Sequence, residues 1–139
     1  MREGFEIIDH TADVAIAAYG ADMKKAFANA ALGMFSIIAE IDRVDEKTIR
    51  NVEVTADGAK DLLVSWLNEL LFVFEVEKIL FKRFEISELD TNKIVARCYG
   101  EKIDPKRHSI KTEIKAATYH MTQIEEKPDG VMLQVLFDI

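Results

Sequence analysis

The strongest constraint on the fold is a wide apolar stripe in the middle of the chain. It consists of Leu62, Leu63, Trp66, Leu67, Leu70, Leu71 and Phe74. A spacing of three and four residues places these side chains on one face of a helix, which we predict to begin after Asp57 or Gly58. Because this is the most hydrophobic element of the sequence, we expect it in the centre of the fold.

The same region contains the longest apolar run, LLVSWLNELLFVF, which does not have the character of a membrane span. Ser65, Asn68 and Glu69 interrupt it, and it falls short of the roughly 20 apolar residues that a span requires. The beginning of the chain, MREGFEIIDH, also lacks the apolar segment and small-residue cleavage site of a secretory signal. We therefore expect a cytoplasmic protein that does not associate with membranes.

A second helix is predicted nearer the N-terminus, with Asp22 as its N-cap and its end near Glu40. Apolar residues recur there at three and four residues, from Met23 to Ile38. Seven other segments are rich in β-forming residues or alternate apolar with polar residues. These predicted strands are residues 5–8, 14–20, 48–56, 78–89, 93–100, 110–126 and 131–139.

The predicted element order is β-β-α-β-α-β-β-β-β. Pro128, Asp129 and Gly130 form a turn signal between the last two strands, because Pro presets one φ angle and Gly accepts positive φ. Short connections favour a mixed, mostly antiparallel sheet of about seven strands with two helices packed on one face, an α+β two-layer sandwich. The length of 139 residues, 49% of them apolar, fits one domain over residues 1–139.

The charge balance argues against direct nucleic-acid binding. Twenty-five acidic residues against 18 basic ones leave a formal charge of −7, so the surface as a whole repels phosphate backbones. The basic segment KRHSIK is interpreted as a solvated part of an exposed loop around Pro105, although a weak RNA contact stays open. We expect RNA contact to be weak or to occur through a partner.

Common catalytic signatures do not occur in the sequence. The six glycines are scattered, so there is no phosphate-binding loop, and there is no Gly-x-Ser-x-Gly motif. Cys98 is the single cysteine, which excludes an internal disulfide and Cys/His zinc spacing. It lies in the apolar run KIVARCYG and is interpreted as an inert buried thiol.

Carboxylates are the remaining candidates for chemistry. Asp9 and Asp13 flank the connection between the first two strands, and Asp138 precedes Ile139 with its free α-carboxylate. Such hard oxygen donors are preferred by Ca²⁺ and Mg²⁺. The alternative is that Asp9 caps a turn, Asp13 forms an Asx motif and Asp138 is solvated. Sequence distance does not decide between these interpretations.

Several motifs resemble those of the archease family. They are, in order, DHTADVAI, AFANAALGMF, DLLVSWLNELLFVFE, EIKAATYH and the terminal FDI, and together they extend over essentially the whole chain. One departure is ADVA where the family usually has ADIG. The resemblance implies a non-enzymatic activator of the RtcB-type tRNA-splicing ligase, which promotes guanylylation and turnover of the ligase and broadens its nucleotide choice. It also implies an alternative role as a chaperone-like modulator of a tRNA methyltransferase.

The resemblance further implies a site at the chain ends. Asp13, Asp138 and Ile139 correspond to ligands of a divalent cation, usually Ca²⁺, with Mg²⁺ or Mn²⁺ as alternatives. Ile139 can contribute only main-chain oxygen. Lys115 resembles a lysine needed to activate the partner, although a surface ion pair with Glu113 is an alternative. His10 either orients a carboxylate or makes a local turn contact.

A metal-dependent hydrolase using the same carboxylates is a further alternative. The sequence contains no evident pair of general base and nucleophile to support it.

Overall fold

The computed structural model describes residues 2–9 and 13–139, with the side chain of Asp9 excepted. Within this part the chain forms seven strands and two α-helices in the predicted order, with a short 3₁₀ helix at Ile41–Arg43. The predicted α+β class is therefore confirmed. The strands form two sheets, of four and three strands, where the sequence pattern predicted one.

The four-stranded sheet contains both ends of the chain. Its strands are antiparallel and lie in the order β1-β2-β7-β6. Their bounds are β1 at Gly4–Asp9, β2 at Asp13–Gly20, β6 at Ala116–Lys127 and β7 at Gly130–Asp138. As predicted, β6 and β7 form a hairpin around Pro128 and Asp129. Strand β7 is central, so its last residue, Asp138, is paired on both sides.

The three-stranded sheet is also antiparallel, with the order β3-β5-β4. Its strands are β3 at Thr48–Thr55, β4 at Ile79–Leu89 and β5 at Lys93–Lys102. Gly100 lies where β4 approaches β5 so closely that a Cβ atom would lie 1.8 Å from the carbonyl oxygen of Leu80. A side chain at residue 100 would therefore force the two strands apart.

The two helices are α1 at Met23–Ile38 and α2 at Ala59–Glu77, and both contact strands of both sheets. Asp22 caps α1 as predicted, since its carboxylate accepts a hydrogen bond from the Lys25 N–H at 2.8 Å. Helix α2 is followed by its C-cap residue, Lys78, which adopts the left-handed conformation with φ of 59°. The helices therefore join the two sheets around one continuous core.

Aromatic rings occupy the centre of this core. Phe35 of α1 contacts Phe81 of β4 edge-to-face, with ring centroids 5.7 Å apart. The fully buried Trp66 of α2 contacts Phe84 and donates its indole N–H to the Phe27 carbonyl of α1 at 3.2 Å. The prediction that α2 lies at the centre of the fold is confirmed.

The end of β5 and the loop after it, together predicted to be an exposed loop, contain a buried polar cluster. Glu101 and His108 are 5% and 6% exposed, and the Arg107 guanidinium donates to the Glu101 carboxylate at 2.8 Å. His108 accepts from the Asp104 N–H through Nδ1 at 2.9 Å, so in this contact its ring proton is on Nε2, which faces the Arg43 carbonyl at 3.0 Å. The cluster ties this loop to the 3₁₀ helix.

Candidate cation site at the chain ends

Asp13 and Asp138 are directly opposite each other in the four-stranded sheet. Asp13 is the first residue of β2, Asp138 is the last residue of β7, and the two are register partners. Partners in an antiparallel pair direct their side chains to the same face, with Cβ atoms about 4.5–5.5 Å apart. Asp13 is half-buried and Asp138 is exposed, so both carboxylates are open to an ion from solvent.

On its other side, Asp138 is paired with the beginning of β6. Ala116 is its register partner there, and the Lys115 N–H donates to the Asp138 carbonyl at 2.8 Å. Ile139 follows directly and is 40% exposed. The structure thus brings Asp13, Lys115, Asp138 and Ile139 to one end of the sheet.

Two of the sequence-predicted residues lie wholly or partly outside the described residues. His10 is one, and its predicted contact with a carboxylate is not described. Asp9 pairs with Val14 through its backbone, but its side chain is not described. Asp13, and not Asp9, is therefore the register partner of Asp138.

Lys115 does not form the ion pair considered as its alternative role. Neither Lys115 nor Glu113 takes part in a salt bridge among the residues that the structure describes. Both are exposed and precede β6, in a segment that is not part of a strand. Lys115 is therefore held through its backbone, and its side chain is presented to solvent.

The donor chemistry of this end fits a hard cation. Two carboxylates facing each other repel unless a positive charge lies between them. The structure contains no group of three or more His, Cys, Asp or Glu residues able to hold a metal ion within the described ranges 2–9 and 13–139. Main-chain oxygen of Ile139, which directly follows Asp138, is a further candidate ligand.

Sequence reasoning missed Asn68 as part of this region. Its side-chain amide donates to the Ala117 carbonyl at 3.0 Å and accepts from the Ala117 N–H at 2.8 Å. The available signal was a polar residue interrupting the apolar run of α2.

Two residues further along β6, the Tyr119 hydroxyl donates to Asp61, which lowers the pKa of Asp61 and raises that of Tyr119.

The Cys98 thiol belongs to the other, three-stranded sheet. It is fully buried in β5, and burial raises its pKa to about 12. Its predicted inert character is consistent with this environment, since the thiolate is the reactive form.

The described part of the chain contains no helix long and apolar enough to cross a membrane.

The fold and this site define a class of small α+β proteins in which the last strand presents a carboxylate opposite the second. The model of the archease protein family (MTH1598/TM1083) matches residues 5–139. The chain belongs to the archease family.

Relatives named protein archease match nearly the whole chain. The one from Methanosarcina acetivorans is 41% identical over 97% of this chain and 95% of its own length. The one from Pyrococcus abyssi is 40% identical over 97% of this chain and 98% of its own length.

Two solved structures share the fold. The solution structure of protein 1598 from Methanobacterium thermoautotrophicum has a TM-score of 0.83 and 37% identity, covering 98% of this chain and 99% of its own. The crystal structure of an archease from Thermotoga maritima, described as a possible chaperone, has a TM-score of 0.57 and 22% identity. It covers 100% of this chain and 98% of its own, and it supports the fold alone.

Proposed function

We propose that this protein is an activator, and not itself an enzyme, of an RtcB-type tRNA-splicing ligase. In this proposal it promotes guanylylation and multiple turnover of the ligase and alters its NTP specificity. Membership of the archease family supports the proposal, and the observation that carries it is the opposition of Asp13 and Asp138. These residues are far apart in sequence, so their pairing at one end of the sheet forms a localised acidic surface.

The proposed site holds a divalent cation, Ca²⁺ in the first place, with Mg²⁺ or Mn²⁺ as alternatives. The Asp13 and Asp138 carboxylates and the main-chain carboxylate of Ile139 are its protein ligands, and water completes the coordination. The ion supplies the positive charge that allows these carboxylates to approach each other. The sequence separation of the ligands means that the site exists only in the folded protein.

Charge and exposure favour docking on a basic partner. The formal charge of −7 steers the protein toward a positive surface, such as that around a nucleotide-binding centre. Lys115 projects from the same end as an unpaired cation among the described residues, available to a phosphate or carboxylate of the complex. Guanylylation requires the α-phosphate to be correctly oriented, and we assign Lys115 and the acidic pair to that positioning role.

The deciding experiment is a time course of ligase guanylylation with the purified ligase, GTP and a divalent cation. Wild-type protein is expected to accelerate it, whereas Asp13→Ala is not. Asp42→Ala, which removes an exposed carboxylate of the 3₁₀ helix, is the matched control and keeps full activity. Equal acceleration by Asp13→Ala and wild type would contradict the role of this cluster.

A second candidate function is chaperone-like modulation of a tRNA methyltransferase. The observation that favours it is an exposed apolar pair, Phe72 and Val76, which are 59% and 61% exposed one turn apart on α2. This candidate predicts that aggregation of a methyltransferase, followed by light scattering, is suppressed equally by wild type and Asp13→Ala. Loss of suppression in Phe72→Ser, with wild-type stability, would identify α2 as the binding surface.

A further inference from the structure

The outer edge of β6 has an unusual partner. This strand is the last in its sheet, so residues pointing away from β7 have no neighbouring strand to pair with. Ala117 is nevertheless only 4% exposed, which leaves its N–H and C=O little access to water. Buried backbone groups require a hydrogen-bond partner.

Asn68 supplies both a donor and an acceptor for the Ala117 backbone. Its Nδ2 donates to the Ala117 carbonyl at 3.0 Å, and its Oδ1 accepts from the Ala117 N–H at 2.8 Å. A carboxamide carries a donor and an acceptor side by side, so it imitates one residue of a neighbouring strand. A helix side chain thus replaces the missing strand at one residue of the edge.

This contact lies beside the proposed cation site. Ala117 follows Ala116, the register partner of Asp138, and comes two residues after Lys115, whose N–H donates to the Asp138 carbonyl. No strand residue precedes Ala116 in β6, so the segment carrying Lys115 enters the sheet at this point. Among the described side-chain hydrogen bonds, the two between Asn68 and Ala117 are therefore the nearest to the point where this segment enters the sheet.

We propose that Asn68 is a positioning residue, which acts through Ala117 to hold Lys115 and Asp138 in register at the end of the sheet. The importance of that register for activation rests on the proposed function. The two hydrogen bonds between Asn68 and Ala117 themselves depend on neither the ligase nor the cation. Its test therefore measures local opening of the backbone and not activation.

The experiment is amide hydrogen exchange of the full-length protein, followed by NMR, for wild type, Asn68→Ala and Asn29→Ala. Asn29 of α1 is the matched control, because its Nδ2 donates to the Tyr19 carbonyl at 2.7 Å, at the opposite end of β2 from Asp13. In Asn68→Ala the Lys115 amide is expected to exchange about tenfold faster than in wild type, through local opening. In Asn29→Ala its exchange is expected to be unchanged.

A wild-type measurement keeps the proposal testable if Asn68→Ala does not fold. The Ala117 N–H is expected to be protected as strongly as N–H groups paired between β6 and β7. An Ala117 amide exchanging as fast as a solvent-exposed one would overturn the proposal. So would equal acceleration at Lys115 in both variants, because a general loss of stability would then account for it. Ligase activation is measured separately, so failure of the proposed function leaves this result interpretable.

Discussion

Asp13 and Asp138 are 125 residues apart in the sequence and face each other across two neighbouring strands. Their opposition turns two ordinary surface carboxylates into one acidic pair. Like charges in direct register are destabilising, so the pair reduces the stability of the protein in the absence of a cation. A site of this kind couples ion binding to folding.

Asp13→Asn is expected to raise the free energy of unfolding by about 0.2–1 kcal/mol when divalent ions are chelated, because the like-charge pair is removed. We expect Ca²⁺ to raise the melting temperature of wild type and to have no such effect on this variant. Asp42→Asn is the control and retains that increase. Thermal unfolding with EDTA and with Ca²⁺ measures both effects, and an unchanged Ca²⁺ response in Asp13→Asn would argue against the site.

Extending the chain beyond Ile139 by Gly-Ser converts its α-carboxylate into an amide and places the new terminus farther away. Calcium affinity depends on the charge and number of oxygen ligands, so we expect it to fall by roughly an order of magnitude in calorimetric titration. The same dipeptide added before Met1 is the control. Identical affinities for the three proteins would exclude the Ile139 carboxylate as a ligand.

Lys115→Met is expected to abolish ligase activation while changing the free energy of unfolding by less than about 0.5 kcal/mol, since its exposed side chain has no ion pair among the described contacts. Lys111→Met removes another exposed lysine of the same segment, paired with Glu40 at 3.7 Å, and should retain activation. The measurements are urea denaturation and the guanylylation time course. Full activity of Lys115→Met would leave this lysine without the proposed role.

The buried cluster around Glu101 should make the free energy of unfolding depend on pH. Burial by itself raises the pKa of Glu101, but hydrogen bonds from Arg107 and from the Asp45 N–H outweigh it and lower the pKa from 4.5 to about 2. The carboxylate therefore stabilises the fold above pH 4.5, and this contribution is lost as the pH falls from 4.5 toward 2.

Glu101→Gln is accordingly expected to be less stable than wild type at neutral pH and to lose less stability between pH 4.5 and 2. Urea denaturation at a series of pH values tests this. Glu75→Gln, at an exposed residue of α2, serves as the control and should follow the wild-type curve. If the stability of Glu101→Gln depended on pH in the same way as that of wild type, other carboxylates would be responsible for the loss of stability in acid.

Lys78→Gly is expected to stabilise the protein by about 0.5–1 kcal/mol, because Lys78 ends α2 at a φ of 59°, where glycine has no Cβ penalty. Lys78→Ala keeps a Cβ atom at the same angle and should bring no gain. Midpoints of urea unfolding measure the difference. A gain in the alanine variant equal to that in the glycine variant would assign the effect to the lysine side chain instead of the backbone.

The local elements could be predicted because their causes are local. The cap at Asp22, the apolar stripes of both helices and the turn at Pro128 each depend on residues within a few positions of one another. Periodicity of three to four residues or of two residues is therefore enough to identify them. Such patterns do not specify how distant strands pair, which is why two sheets were predicted as one.

The candidate site illustrates the same limit. The chain alone identified Asp13, Lys115, Asp138 and Ile139 as candidates, from their chemistry and from the archease motifs. The register that sets Asp13 opposite Asp138 exists only in the tertiary structure, because it requires β2 and β7 to be neighbours. The Asn68 amide at the edge of β6 and the buried Glu101 cluster also depend on packing between segments far apart in sequence. Local composition determined the elements and their order, and long-range packing decided which polar groups meet.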